Sequence, residues 1–308
     1  MTIKHLVLGG GGIGGYAIYG ALKYLSKNNY FDIKNIKSIY STSAGALIGV
    51  LISLDYDWES LDDYLIKRPW DKVISIKPIN ILNLWNEKGL FDAEEIFGVI
   101  LKKLLTAKGL SETITLKEYY NYNNIEIHIY SVNINNKLPI KVDFSYKTHP
   151  DLELCKVVAL SCLVPIIFNP IFYNSECYID GGILNNFPLD NCIDNIKELG
   201  DNINEILAFK ISVIKQNDII TNKSNMLDYL LYLTYKILWL ISPENNQSDI
   251  SNIVYCNIED NFSFSSKALI SEVVRKDMID SGIKYGEDYL IKIMESPQII
   301  SDEATLEK

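Results

Sequence analysis

Apolar residues follow two different spacings along the chain. Short, nearly continuous apolar runs bounded by turn residues predict buried strands, whereas apolar residues repeated every three or four positions predict helices. The run over residues 3–8 is followed by glycines and by a helical pattern over 16–27, and the run over 36–40 leads directly into the apolar stretch 44–54. Strands that alternate with helices in this way are typical of an α/β fold.

The same alternation continues along the rest of the chain. Residues 70–91 follow neither spacing and are predicted to be irregular, as a lid or rim. Further strands are predicted over residues 125–133, 140–146, 204–214 and 253–258, the first two as an antiparallel pair. Further helices are predicted over residues 58–67, 92–105, 154–163, 226–241 and 268–294, the last with a break near Gly282.

These elements predict a single domain over residues 1–295. We expect a three-layer α/β sandwich in which a central, mostly parallel sheet carries helices on both faces. The core would span about 1–215, and a helical C-terminal elaboration would span about 216–295. Residues 296–308 have the character of a flexible tail.

A helical cap or rim is expected from two regions, about 55–110 and 220–250. The helix predicted over 226–241 has apolar residues around most of its circumference. This distribution favours a helix buried in the core. A surface that touches a membrane or a partner protein is the alternative.

The turn between the second predicted strand and its helix contains the first candidate for chemistry, Ser43. A serine on such a turn, with small residues two positions to either side, forms a nucleophile elbow because bulky flanking side chains would strike the neighbouring strand. Here the flanking residues are Ser41 and Gly45. The N–H groups at the start of the following helix could hold a developing oxyanion. Alternatively, Thr42 or Ser43 only caps that helix.

The glycine-rich loop after the first strand, residues 9–15, could bind one of two anions. Its glycines Gly10, Gly12 and Gly15 fit a dinucleotide-binding fingerprint, but that fingerprint also needs an acid at the end of the second strand, and Asp32 precedes that strand. The other anion is an oxyanion formed at the elbow. We favour the oxyanion because it uses both motifs, and a purely structural turn is the third interpretation.

A serine nucleophile needs a base, and the sequence offers few. Asp180 lies just after a predicted strand, in an Asp-Gly-Gly turn. None of the three histidines follows it, which excludes the Ser, Asp, His order of α/β-hydrolases with this aspartate. His5 and His128 lie within predicted strands, so only His149 is conceivable as a third member. The economical alternative is that Asp180 itself is the base, in a buried site that raises its pKa.

At this point the chain resembles the patatin-like phospholipases. That family combines a glycine-rich loop after the first strand, a G-x-S-x-G elbow after the second and an aspartate in a later D-G-G or D-G-A turn. Two further stretches, 160–165 and 88–92, are similar to the family's A-S-x-x-I-P and G-L-F-D segments. The three main matching stretches are Leu8-Gly9-Gly10-Gly11-Gly12-Ile13-Gly14-Gly15, Ser41-Thr42-Ser43-Ala44-Gly45 and Asp180-Gly181-Gly182 with Asn185-Asn186-Phe187-Pro188.

The resemblance implies a reaction and assigns residues to it. Ser43 would be the nucleophile and Asp180 the base in the hydrolysis of acyl esters of phospholipids or neutral lipids, through an acyl-enzyme and without cofactor or metal. The expected partner is a lipid or membrane surface, with room for a protein activator. Gly10, Gly11, Gly12 and Ile13 would form the oxyanion hole, and Gly15, Gly45, Gly181 and Gly182 would support the turns.

Two residues depart from the family pattern. Gly14 stands where the family usually carries a basic residue, and Ser41 replaces the first glycine of the elbow. Loss of one oxyanion-type interaction typically lowers a rate by about 100- to 1,000-fold. We therefore expect an active but slow or regulated enzyme. The alternative is an inactive relative that binds lipid or protein.

Composition narrows the class of partner. The net charge is −10 with only two arginines, which argues against nucleic acid as a partner because phosphate neutralisation needs a basic face. The five cysteines contain no C-x-x-C pair and are expected to be reduced, mostly buried thiols. No signal peptide or transmembrane helix is predicted. We expect a cytoplasmic protein in peripheral contact with a membrane.

Overall fold

A mostly parallel sheet runs through the centre of the molecule. The computed structural model describes residues 2–74, 77–215, 220–241, 250–259 and 267–295, and the predicted tail over 296–308 lies outside them. The strands are β1 His5–Leu8, β2 Ser38–Thr42, β3 Gly89–Phe91, β4 Glu126–Asn133, β5 Ile140–Phe144, β6 Ile166–Phe168, β7 Ile171–Tyr173, β8 Glu176–Asp180, β9 Ile206–Lys215 and β10 Ile253–Glu259.

The strand order in the central sheet is β10-β9-β1-β2-β4-β8-β7, with β5 also paired to β4. The four pairings from β10 to β4 are parallel, and β4 pairs with both β8 and β5 in the antiparallel sense. The expected mostly parallel sheet and the antiparallel pair β4–β5 are therefore confirmed. A separate small sheet consists of β3 and β6.

Helices cover both faces of this sheet. They are α1 Gly15–Lys27, α2 Ala44–Ser53, α3 Trp58–Lys67, α4 Trp70–Val73, α5 Pro78–Glu87, α6 Ala93–Ala107, α7 Leu116–Asn123, α8 Leu154–Ser161, α9 Gly182–Asn185, α10 Leu189–Leu199, α11 Met226–Ile241 and α12 Glu272–Glu295. None of the helices in the described part of the chain has the length and apolar character needed to cross a membrane.

Alternating strand residues build two cores. Leu6, Leu8 and Ile39 face a large cluster with α1, α2, α6, α8 and α12, whereas Val7 and Tyr40 face a smaller cluster with α10. This alternation follows from the two-residue period of a strand. The predicted three-layer arrangement is confirmed. All five cysteines are buried and unpaired, as expected from the sequence.

The C-terminal elements belong to these layers. Strand β10 extends the central sheet beside β9, and α12 packs closely along α1. The predicted break near Gly282 is wrong, because α12 is continuous from Glu272 to Glu295. A Cβ at Gly282 would overlap the carbonyl oxygen of Ala17, so this glycine permits a close helix crossing and does not interrupt the helix.

Residues 70–91 are also more regular than predicted. They form α4, α5 and β3, with residues 75 and 76 outside the described part. Trp70 is buried and donates its indole N–H to the Leu65 carbonyl at 2.8 Å, whereas Trp85 is exposed. Of these two tryptophans, Trp70 therefore packs in the core, as is common for tryptophan, and Trp85 does not.

Candidate active site

Ser43 occupies a sharp turn between β2 and α2. Its backbone angles are φ 52° and ψ −124°, a conformation that residues other than glycine rarely adopt. Such a residue costs about 1–3 kcal/mol and persists only where the surrounding structure holds it. This is the geometry expected of a nucleophile elbow, which presents the serine hydroxyl at the end of the sheet.

The residues that flank Ser43 show why the turn needs small side chains. A Cβ at Gly45 would overlap the Leu8 carbonyl oxygen and lie 2.7 Å from that of Gly9, because the start of α2 crosses the end of β1. Ser41, which replaces the usual glycine on the other side, is buried without a clash and donates its hydroxyl to the His128 carbonyl at 3.3 Å. The departure at Ser41 therefore leaves the elbow intact.

Sheet register brings Asp180 to the same place. Thr42 pairs with Tyr130 in β4, and the next β4 residue, Ser131, pairs with Asp180 at the end of β8. The Ser43 hydroxyl donates to Asp180 Oδ2 at 2.8 Å. Both side chains are buried. The two residues are 137 positions apart in sequence and are joined by the pairing of three strands.

The carboxylate of Asp180 is held on both oxygens. Its Oδ1 accepts the Gly182 backbone N–H at 2.7 Å, while Oδ2 accepts the Ser43 hydroxyl. Burial raises the pKa of Asp180 to about 6, and the hydrogen bonds from Gly182 and Ser43 only partly oppose this rise. A carboxylate with a pKa near 6 is ionised at neutral pH and more basic than an exposed aspartate.

The three histidines lie elsewhere. His149 contacts the Thr148 hydroxyl at 2.9 Å, and His5 contacts that of Ser38 at 2.7 Å. Burial alone would lower the pKa of His128, but hydrogen bonds to Asp143 and Glu126 raise it to about 9. His128 is therefore protonated at neutral pH and cannot accept a proton there. No histidine contacts Ser43, and the conceivable role for His149 as a third member has no support.

Ser161, at the end of α8, holds the elbow through the backbone of Ser43. Its hydroxyl accepts the Ser43 backbone N–H at 2.8 Å and donates to the Tyr130 carbonyl at 2.6 Å. All of these groups are buried. In the sequence, Ser161 is recognisable only as part of a motif resembling A-S-x-x-I-P, which does not predict this contact.

The glycine loop lies against the elbow. A Cβ at Gly10 would be 3.2 Å from the Ser43 Cβ. Asn186 joins the loop to the chain just after the Asp180 turn, because its carbonyl accepts the Gly10 N–H at 2.8 Å and its amide donates to the Gly10 carbonyl at 3.3 Å. Gly10 was expected to be an oxyanion donor, but its N–H already has a partner.

The remaining expected oxyanion donors are Gly11, Gly12 and Ile13. Gly12 is exposed and begins a short 3-10 turn, and Gly11 and Ile13 are half-buried. Within the described residues, their N–H groups have no hydrogen-bond acceptor. This segment can therefore offer backbone donors to a ligand beside Ser43.

Gly14 faces away from that open side. A Cβ at Gly14 would be 2.5 Å from Ile211 Cδ1 and 2.8 Å from Ile258 Cδ1, which project from β9 and β10. A basic side chain at this position would have to displace both isoleucines. The glycine therefore fits the close approach of these two side chains to the loop.

One candidate metal cluster lies outside this site, in the described part of the chain. His5, Asp201 and Glu205 bring possible ligand atoms within 4.8 Å of one another. Lys37 pairs with Asp201 at 3.0 Å, and Lys4 pairs with Glu205, so both carboxylates already have a cationic partner. The cluster lies at the start of β1, at the opposite end of the strand from the glycine loop.

Comparisons with known proteins find relatives of this chain. The chain is 36% identical over 191 residues to the probable lipid hydrolase 463L of Invertebrate iridescent virus 6, and the alignment covers 62% of this chain and 63% of that relative, less than two thirds of its length. It is 26% identical over 300 residues to the uncharacterized protein R571 of Acanthamoeba polyphaga mimivirus, covering 95% of each.

The fold is also similar to that of a solved structure, VipD from Legionella pneumophila. The TM-score is 0.53 at 17% identity, over 95% of this chain and 67% of that one. The family model described as patatin-like phospholipase matches residues 6–193, which include the glycine loop, the elbow and the Asp180 turn. Since this match extends over more than half of the sequence, the chain belongs to the patatin-like phospholipase family.

Proposed function

We propose that the protein hydrolyses acyl esters of phospholipids or neutral lipids, with Ser43 as nucleophile and Asp180 as its base. The observation that carries the proposal is the 2.8 Å hydrogen bond from the Ser43 hydroxyl to the buried Asp180 carboxylate. Family membership and the similarity to a probable lipid hydrolase support the substrate class.

The reaction would proceed in two steps. The Ser43 oxygen attacks the acyl carbonyl carbon while its proton passes to Asp180 Oδ2, and the carbonyl oxygen becomes an oxyanion. Collapse of this intermediate breaks the ester bond, and the leaving alcohol takes the proton from Asp180. Water then attacks the acyl-enzyme, again giving a proton to Asp180, and the fatty acid leaves as Ser43 is protonated.

Each group already has a suitable environment for its step. The N–H groups of Gly11, Gly12 and Ile13 would stabilise the oxyanion. Burial gives Asp180 a pKa near 6, so it is ionised at neutral pH yet basic enough to share the serine proton. The Gly182 N–H holds the other carboxylate oxygen and directs Oδ2 at the serine.

The test compares the wild type with Ser43→Ala, Asp180→Asn and a matched control, Ser53→Ala. Ser53 is also a buried serine in this region, at the end of α2, but its hydroxyl contacts Val50 and Tyr119. We expect fluorophosphonate labelling of the wild type and of Ser53→Ala only. Fatty-acid release from phosphatidylcholine vesicles should fall by about 10,000-fold or more in Ser43→Ala and Asp180→Asn.

Folding of every variant is checked by circular dichroism. Release that persists in folded Ser43→Ala would exclude this serine as the nucleophile. A wild type that neither labels nor releases fatty acid, even with cell extract as a source of activator, would reject the hydrolase and favour a catalytically silent module that binds lipid or protein.

A further inference from the structure

Helix α11 has a row of exposed apolar side chains that no other described element covers. Met226, Tyr229, Leu233 and Ile237 are 71%, 47%, 40% and 45% exposed. Their spacing of three, four and four residues places them on one face of the helix. We call this set the α11 row. Leu231, which lies off the row, is buried and anchors the helix to the rest of the protein.

The α11 row contains no charge. The two charged residues of the helix, Asp228 and Lys236, are half-buried and lie between the members of the row. The apolar pattern of this helix favours burial in the core, with contact to a membrane or partner as the alternative, and the exposure of these four positions corrects the expectation of burial. An exposed row of large apolar side chains on a soluble protein needs an explanation beyond packing.

The helix lies beside the candidate active site. It packs against α9, which begins at Gly182, and against β6. Gly182 is the residue whose N–H holds the Asp180 carboxylate. Leu184, also on α9, is a further exposed apolar residue, four positions after Asp180.

We propose that the α11 row inserts into the surface of an electrically neutral lipid bilayer and holds the active site against it. This proposal rests on the proposed function, because a lipid hydrolase must draw its substrate from a lipid surface. Four side chains are far fewer than the roughly 20–30 residues a side of a stable protein interface. A few apolar side chains on one helix face are, in contrast, sufficient for interfacial contact with lipid.

The charge of the protein identifies the kind of bilayer. The net charge is −10, so an anionic surface would repel the molecule as a whole. The four members of the row are uncharged, and the one lysine of the helix, Lys236, is half-buried and is offset in formal charge by Asp228. Zwitterionic phosphatidylcholine is the surface that fits both observations.

The chain supplies a closely matched control. Met294 and Ile291, on α12, are 78% and 47% exposed, nearly equal to Met226 and Ile237 of the row. Their helix packs against α1, α3 and β10, whereas α11 packs against α9 and β6. The test therefore compares two double variants. The α11 double variant combines Met226→Asp and Ile237→Asp, and the α12 double variant combines Met294→Asp and Ile291→Asp.

Three measurements are made on each protein. We expect sedimentation with phosphatidylcholine vesicles to weaken at least tenfold in the α11 double variant and to stay within twofold of wild type in the α12 double variant. The vesicle concentration for half-maximal hydrolysis should rise by the same factor, while hydrolysis of a water-soluble short-chain ester stays unchanged. Folding and oligomeric state are followed by circular dichroism and light scattering.

The outcomes separate this proposal from the proposed function. Equal vesicle binding by both double variants would overturn the lipid contact, whatever the activity. A change of oligomeric state in the α11 double variant, with vesicle binding intact, would make the row a protein interface instead. A wild type that binds vesicles through the row but hydrolyses neither substrate would leave the lipid contact standing and reject the hydrolase.

Discussion

Replacing Asp180 with asparagine isolates the free energy of holding a carboxylate in this buried position. The asparagine has the same shape, and its Oδ1 can still accept the Gly182 N–H that Asp180 accepts at 2.7 Å. What disappears is the charge, and the oxygen that accepts the Ser43 hydroxyl is replaced by an N–H donor. Activity should be lost with it, but we expect the folded protein to become more stable.

The magnitude follows from the pKa of Asp180. Burial raises that pKa from the ordinary value of 3.8 to about 6. Each tenfold change in proton affinity is worth about 1.4 kcal/mol, so ionised Asp180 destabilises the fold by about 3 kcal/mol at pH 8.

The direction of the pKa shift determines how the free energy of unfolding depends on pH. Because the folded-state pKa is the higher one, protonated Asp180 favours the folded state below pH 3.8, and this contribution is lost as the pH rises through 6. The stability gained by Asp180→Asn over wild type should therefore increase by roughly 2.5 kcal/mol between pH 4 and pH 8.

The assay is urea unfolding of both proteins at pH 4, 6 and 8. Only the pH-dependent part of the difference tests the reasoning, because the changed hydrogen bond to Ser43 contributes equally at every pH. Asp57→Asn is the control, since the hydrogen bond from the Ser60 N–H lowers the pKa of that exposed carboxylate and reverses the sign. A difference between wild type and Asp180→Asn that does not change with pH would show that the carboxylate is not desolvated.

Two further substitutions test the surroundings of Ser43. Ser161→Ala removes the acceptor of the Ser43 N–H and the donor to the Tyr130 carbonyl. We expect the free energy of unfolding to fall by about 1–3 kcal/mol, and kcat to fall without a matching rise in KM. An unchanged kcat would show that Ser161 does not position the nucleophile. Gly14→Arg should not activate the enzyme, because the side chain meets Ile211 and Ile258; it should lower the melting temperature, and faster hydrolysis by a folded variant would contradict this packing argument.

The fold could be predicted from local signals, and so could the two turns that carry Ser43 and Asp180. Strand ends followed by small residues mark the glycine loop and the elbow, and the parallel strands β1 and β2 place both at one edge of the sheet. Asp180 ends the antiparallel strand β8 and reaches that edge only through its register with β4. The pairing of Ser43 with Asp180 still required a family resemblance, since nothing in the spacing of 137 residues specifies it.

Contacts that depend on distant residues could not be predicted in the same way. A serine inside the apolar helix α8 gives no sign that its hydroxyl meets the Ser43 N–H, 118 positions away. A glycine such as Gly282 fits a helix break or a close crossing equally well, and only the position of Ala17 decides between them. The exposed α11 row could not be predicted for the same reason. The sequence of a helix that is apolar all round does not show which face its neighbours cover.

Gly14 shows how a departure from a family pattern changes meaning once its neighbours are known. From the sequence it is a missing positive charge beside the oxyanion. In the structure it is the point where the side chains of Ile211 in β9 and Ile258 in β10 approach the glycine loop. A basic side chain there would have to move the ends of both isoleucine side chains, so in this chain the proposed stabilisation of an oxyanion rests on the backbone donors of Gly11, Gly12 and Ile13. Their position in turn depends on the two hydrogen bonds between Gly10 and Asn186, one donated by each residue, which tie the loop to the turn that carries Asp180.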